Sequence, residues 1–166
     1  MDLSKFLLAP MAAVVACLFV SCGPVYHGPP HDPATTATLR CTKEKLSFYS
    51  NRGYWVKSID GKRVDYTWKA ADAEIVVPAG KHEMVLTGNF DLGLHKPAGH
   101  WEPTAVTADL KAGRSYVVRG YFNYPTERRA QIWIEDTASG KPVSEKLSLP
   151  CIFLVPGPTP VFLPVG

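Results

Sequence analysis

Blocks of like charge are missing from this 166-residue chain: its 18 Lys and Arg are interleaved with 15 Asp and Glu, for a formal net charge of +3. Without a basic stripe there is little to neutralise a phosphate backbone, which argues against nucleic acid as a partner. Catalytic and metal signatures are missing too. No Gly-x-Ser-x-Gly, no HExxH and no Cys-x-x-Cys occurs. The carboxylates stand singly, without an evident acid/base pair. We therefore expect neither an enzyme nor a resident cofactor. Helical periodicity is absent from the body of the chain. Its 15 Pro and 13 Gly, about a sixth of all residues, punctuate short β-type runs instead, and that pattern favours an all-β domain.

One long, charge-free apolar run opens the chain. Phe6 to Val20 follows a short polar start with a single Lys, Lys5, and contains Pro10. A spanning helix needs about 20 apolar residues, so the run reads as an export signal. It ends Leu18-Phe19-Val20-Ser21-Cys22-Gly23, which resembles a bacterial lipobox: a small residue before a cysteine that is acylated and becomes the new N-terminus. The resemblance implies lipidation at Cys22, with residues 1–21 removed. Val14-Val15-Ala16-Cys17 fits the same box and also an ordinary secretory cleavage; a plain cleaved signal without lipid is the third reading. Acyl chains contribute about 0.8 kcal/mol per buried CH₂, so more than one gives stable anchoring. Gly23 in place of Asp implies outer-membrane sorting in a Gram-negative cell.

Residues 22–36 hold four prolines and two histidines, His27 and His31, and read as a tether lifting the domain off the membrane. Residues 37–148 then alternate between β runs and turns, enough for seven to nine strands and a β-sandwich. Asp60-Gly61 marks a tight hairpin because both positions accept positive φ. Pro78-Ala79-Gly80 marks a second turn, from which residues 81–87 are expected to pair back on residues 74–77. Lys111-Ala112-Gly113 is a third turn of that kind. Gly88 to Glu102 reads as a long connection. The expected core is Leu39, Val56, Ile59, Ile75, Val77, Met84, Leu86, Val106, Leu110, Tyr116, Val118, Phe122, Ile132 and Ile134.

Ile59-Asp60-Gly61-Lys62, Val77-Pro78-Ala79-Gly80-Lys81-His82 and Leu110-Lys111-Ala112-Gly113-Arg114-Ser115-Tyr116 follow in order, with Trp133-Ile134-Glu135-Asp136 and Ser139-Gly140-Lys141-Pro142-Val143 beyond them. Together they resemble a broad group of uncharacterised small bacterial lipoproteins, and their hairpin grammar is similar to that of PEGA-type surface domains. The likeness spans residues 38–144. It implies a sandwich of immunoglobulin-like or transthyretin-like kind, and no activity, because every shared element is turn chemistry.

Processing at Cys22 leaves Cys41 and Cys151 as thiols in an oxidising compartment. A bridge between them is a candidate staple worth about 4–5 kcal/mol in the chain-entropy model; two separately buried thiols are the other reading. His95 and His100 flank Lys96-Pro97-Ala98-Gly99 and are weak metal candidates, since a metal site needs converging ligands. His82, beside a turn, reads as a surface residue at a strand start. Trp55, Trp68, Trp101 and Phe162 are the candidate binding surface, because exposed large aromatics suit a partner. Residues 149–166 carry five prolines and no charge. Ile152 to Val155 reads as a final strand, and the remainder either covers a sheet edge or docks on a partner or the membrane.

The expected function is thus a lipid-anchored envelope module, non-enzymatic, with a structural or protein-interaction role. Small-ligand or metal capture through the 88–102 loop is the alternative.

Overall fold

The computed structural model describes residues 24–48, 50–65, 74–93, 98–123 and 129–154. The described residues are all-β, in ten strands: β1 (Thr36–Arg40), β2 (Thr42–Lys45), β3 (Asn51–Ile59), β4 (Lys62–Arg63), β5 (Glu74–Pro78), β6 (Gly80–Asp91), β7 (Ala98–Leu110), β8 (Ser115–Tyr121), β9 (Arg129–Asp136) and β10 (Leu147–Phe153). They form one mixed sheet in the order β2-β3-β6-β7-β10-β9-β8-β1-β5, with β4 paired to β3.

That sheet curls back on itself. β1 lies parallel to β8 and β2 antiparallel to β3, yet only Cys41 separates β1 from β2. The Thr42 hydroxyl donates to the Val118 carbonyl, tying the junction to β8. β10 plays the same part opposite, pairing with β9 through Leu147–Pro150 and with β7 through Cys151–Phe153. The two halves of the expected sandwich are therefore parts of one sheet, joined by two strands that change partners. Pro150 sits where β10 changes sides, a position at which a residue without an N–H is tolerated.

Alternation fills the interior from both halves. Tyr116, Val118 and Phe122, with Ile132 and Ile134 of the neighbouring β9, join Val56, Met84 and Leu86 in one buried cluster. Every residue of the expected core belongs to that cluster or packs against it, Ile75 being only partly buried.

Several boundaries move. The Asp60-Gly61 hairpin forms, with φ of 49° and 74°. Pro78-Ala79-Gly80 is instead a corner, because β5 pairs with β1 while β6 pairs with β3 and β7. Lys111-Ala112-Gly113 is likewise a corner between halves; Gly113 takes φ 69° and its N–H donates to the Thr36 carbonyl. The long connection from Gly88 to Glu102 is mostly strand. β6 and β7 pair as far as Asp91 opposite Ala98, so Gly88 and Gly99 are interior strand residues and not loop markers.

The N-terminal tether is also corrected over its described part. The Arg63 N–H donates to the Pro24 carbonyl (2.8 Å), and the Tyr26 N–H to the Arg63 carbonyl (2.7 Å). Tyr26 packs on the core, and its hydroxyl donates to the Val76 carbonyl at 2.9 Å. A single apolar anchor thus holds a segment whose composition reads as solvated, and it shields the free edge of β5. At the other end, β10 starts at Leu147, inside the span assigned to the sandwich, and runs centrally through the sheet.

Candidate binding groove

Beneath the outer face of β3, β6 and β7 lies an aromatic cluster, and Trp101 is its centre. Tyr54 stacks on it at 4.9 Å between centroids, Phe90 lies at 5.3 Å and Phe122 at 5.6 Å, edge-on. Trp101 is wholly buried, which removes it from the candidate binding surface. Trp101 lies on β7 and not in a connection, and a β-bulge interrupts the alternation that leads back to it. Inward residues run Leu110, Ala108, Val106, but the register shifts between the Leu86–Thr104 and Gly88–Trp101 pairs, so that odd-numbered residues point inward beyond it.

Glycines make room for these rings. A Cβ on Gly88 would lie 2.7 Å from the Trp101 ring, one on Gly99 2.7 Å from Phe90, and one on Gly120 2.2 Å from Tyr54. The Tyr54 hydroxyl is buried with no hydrogen-bond partner among the described residues, and burial raises its pKa. Because an orphaned buried hydroxyl carries a desolvation cost, Tyr54→Phe is expected to raise stability by about 1 kcal/mol in urea denaturation. A loss of that size would mean the hydroxyl has a partner.

The two cysteines are free thiols, so the candidate bridge is not formed. Cys41 is buried at the β1–β2 junction, and burial pushes its thiol up to about 11. Cys151 lies on β10, where its Sγ accepts the Trp101 Nε1–H at 3.1 Å; burial raises its pKa as well, against that hydrogen bond. Each thiol has its own packing site, the reading that competed with a bridge.

Above this floor the outer face carries a groove of about 670 Å³. Trp55 and Lys57 come from β3, Arg63 from β4, Asn89 from β6 and His100 from β7, with Leu154 just past β10. The alternation that buries Tyr54 and Val56 turns Trp55 and Lys57 outward. Arg63 is paired with Asp65 at 2.9 Å, while Lys57 is exposed and has no carboxylate partner among the described residues. Asn89 Oδ1 is buried in the groove wall without a donor among the described residues. Trp55 therefore lines a concave surface.

Of the remaining sequence candidates, Cys22, Trp68, His95 and Phe162 lie outside the described residues. His100 is exposed, and among the described residues no three His, Cys, Asp or Glu side chains converge. His82 is more than a surface residue: Nδ1 lies 2.7 Å from Asp60 Oδ2 and Nε2 2.9 Å from the Pro78 carbonyl. It clasps the β3–β4 hairpin to the β5–β6 corner. Burial opposes ionisation of Asp60, but hydrogen bonds from His82 and the Glu83 N–H outweigh it and leave the pKa below the usual value. The groove residues Lys57, Arg63 and Asn89 went unremarked in the sequence; the outward partners of Val56 along β3 were the available signal.

No family model, curated protein or solved structure matches the chain.

Proposed function

We propose that the chain is an exported envelope lipoprotein, cleaved before Cys22, acylated there, and working by contact instead of catalysis. In a Gram-negative cell its place is the outer membrane. The leader and its lipobox-like end support the anchor. The groove on the β3-β6-β7 face supports contact as the mode of action. A large aromatic, two cations and an unsatisfied acceptor around an open cleft are groups that recognise. Asn89, Gly99 and His100 of the groove lie on β6 and β7, so the segment read as a capture loop contributes to it as strand.

Intact-mass and N-terminal peptide analysis of the envelope-purified protein tests the anchor. The expected mature chain begins at an acylated Cys22. An unmodified Cys22, or a chain beginning elsewhere, overturns the localisation.

One observation favours small-ligand capture as a second reading. Asn89 Oδ1 at the groove wall has no donor among the described residues, and a ligand presenting an N–H or O–H there would supply one.

A further inference from the structure

The strap formed by the first described residues fixes where the anchor must be. Pro24 is held by the Arg63 N–H, and Tyr26 by the Arg63 carbonyl and by Val76. Gly28 lies so close to β5 that a Cβ there would sit 2.5 Å from the Val76 carbonyl oxygen. Only two residue steps separate Cys22 from Pro24. An extended chain spans at most about 3.6 Å per residue, so the two Cα atoms lie within about 7 Å of one another.

Arg63, which holds the strap, is also a wall of the groove, and Val64 lines both the groove and the cavity of about 410 Å³ under the strap. The lipid attachment point and the groove therefore share one end of the domain. A long flexible tether would have left their relation open; the strap does not.

The chemistry of that end matches a bilayer surface. Trp55 and Leu154 offer apolar bodies, Leu154 being 59% exposed. Tryptophan settles at the headgroup level, where its ring is half in hydrocarbon and its N–H stays wet. Lys57 is exposed beside it, Arg63 forms the rim, and Lys62 is exposed on the same hairpin. Each such cation near an anionic leaflet strengthens contact about fivefold. Asp91 is the one acid of the groove lining among the described residues and Asp65 pairs with Arg63, so Lys57 is the cation best placed to meet a lipid phosphate.

Resting on the Cys22 anchor and on the groove as the contact surface, we propose that the partner of this groove is the anionic lipid surface to which the chain is itself tethered. The domain lies against the bilayer, Trp55 at headgroup depth and Lys57 over lipid phosphates. It is not carried clear of the membrane.

The full chain, purified from envelopes, would be reconstituted into phosphatidylcholine vesicles with or without phosphatidylglycerol, containing lipids brominated near the glycerol. Tryptophan fluorescence of the wild type is expected to be quenched. Trp55→Phe should lose most of that quenching, while Trp133→Phe, on the far half of the sheet, retains it. Lys57→Glu should weaken membrane contact by at least about fivefold in phosphatidylglycerol vesicles and change little in phosphatidylcholine alone. Equal quenching of wild type and Trp55→Phe, with the protein still in the vesicle fraction and Cys22 acylated, overturns the groove proposal and leaves the anchor standing. That result would return the groove to a protein partner or to the chain's own apolar residues 155–166. A sample lacking the acyl mass and failing to float with vesicles overturns the anchor, and this proposal with it.

Discussion

Replacing Trp101 by alanine is expected to cost about 4 kcal/mol, the range for removing a large aromatic from a packed interior. Trp101 has no exposed surface and touches Tyr54, Phe90 and Phe122 by ring contact. Its loss opens a void beneath three rings that cannot all collapse into it. It also leaves the Cys151 Sγ without the indole N–H. Domains of this size hold about 5–15 kcal/mol in total, so the variant should melt about 15 °C lower by circular dichroism. A shift of only two or three degrees would mean that Trp101 is a surface residue after all, as the sequence first suggests.

The second large effect comes from adding atoms. Gly120→Ala places a methyl 2.2 Å from Cε1 of Tyr54, and the next-nearest atoms belong to the same ring. That ring is wholly buried and stacked on Trp101, so it cannot swing aside as an exposed lysine would. Overpacking of this kind costs about 3 kcal/mol. A double-mutant cycle identifies the cause. With Tyr54→Leu already present, adding Gly120→Ala should cost no more than about 1 kcal/mol, because residues in contact do not contribute additively. The same penalty in both backgrounds would point to the backbone of β8 instead of the ring.

These two residues mark the border of what the sequence reveals. Where strands alternate without interruption, as in β8 and β9, Tyr116, Val118, Ile132 and Ile134 are placed correctly by period alone. Asp60-Gly61 was equally legible, since a two-residue turn is local chemistry. Trp101 was misplaced because residues 88–102 read as a connection, and the bulge on its strand breaks the alternation that would have extended the strand back to it. Tyr54 shares a face with Val56, and period would have buried it, but the register shift between Val56 and Ser58 obscured the pattern beyond. Gly88 and Gly99 resemble loop residues because the rings that require them, Trp101 and Phe90, meet them only across the paired strands β6 and β7.

Partner choice was not legible at all. Whether Pro78-Ala79-Gly80 is a hairpin or a corner depends on β1, about forty residues earlier, and turn chemistry is the same in both cases. The fastening of Pro24 to Arg63 joins two backbones, which leaves no trace in composition. Tyr26 was the one clue, a large ring in an otherwise unpackable stretch. The groove inherits both blind spots: its walls come from a bulged hairpin and its rim from the residue that grips the strap.

The position of β10 carries a consequence for how the molecule comes into being. This strand, covering residues 147–153, is inserted between β7 and β9, and β1 has its parallel partner more than seventy residues downstream. The sheet cannot be completed until residue 153 has been synthesised and delivered, and its contacts are predominantly non-local, which slows folding. A nascent chain would therefore remain open while it is made. The topology that places the last described strand in the middle of the sheet thus postpones completion of the domain until nearly the whole chain has been made.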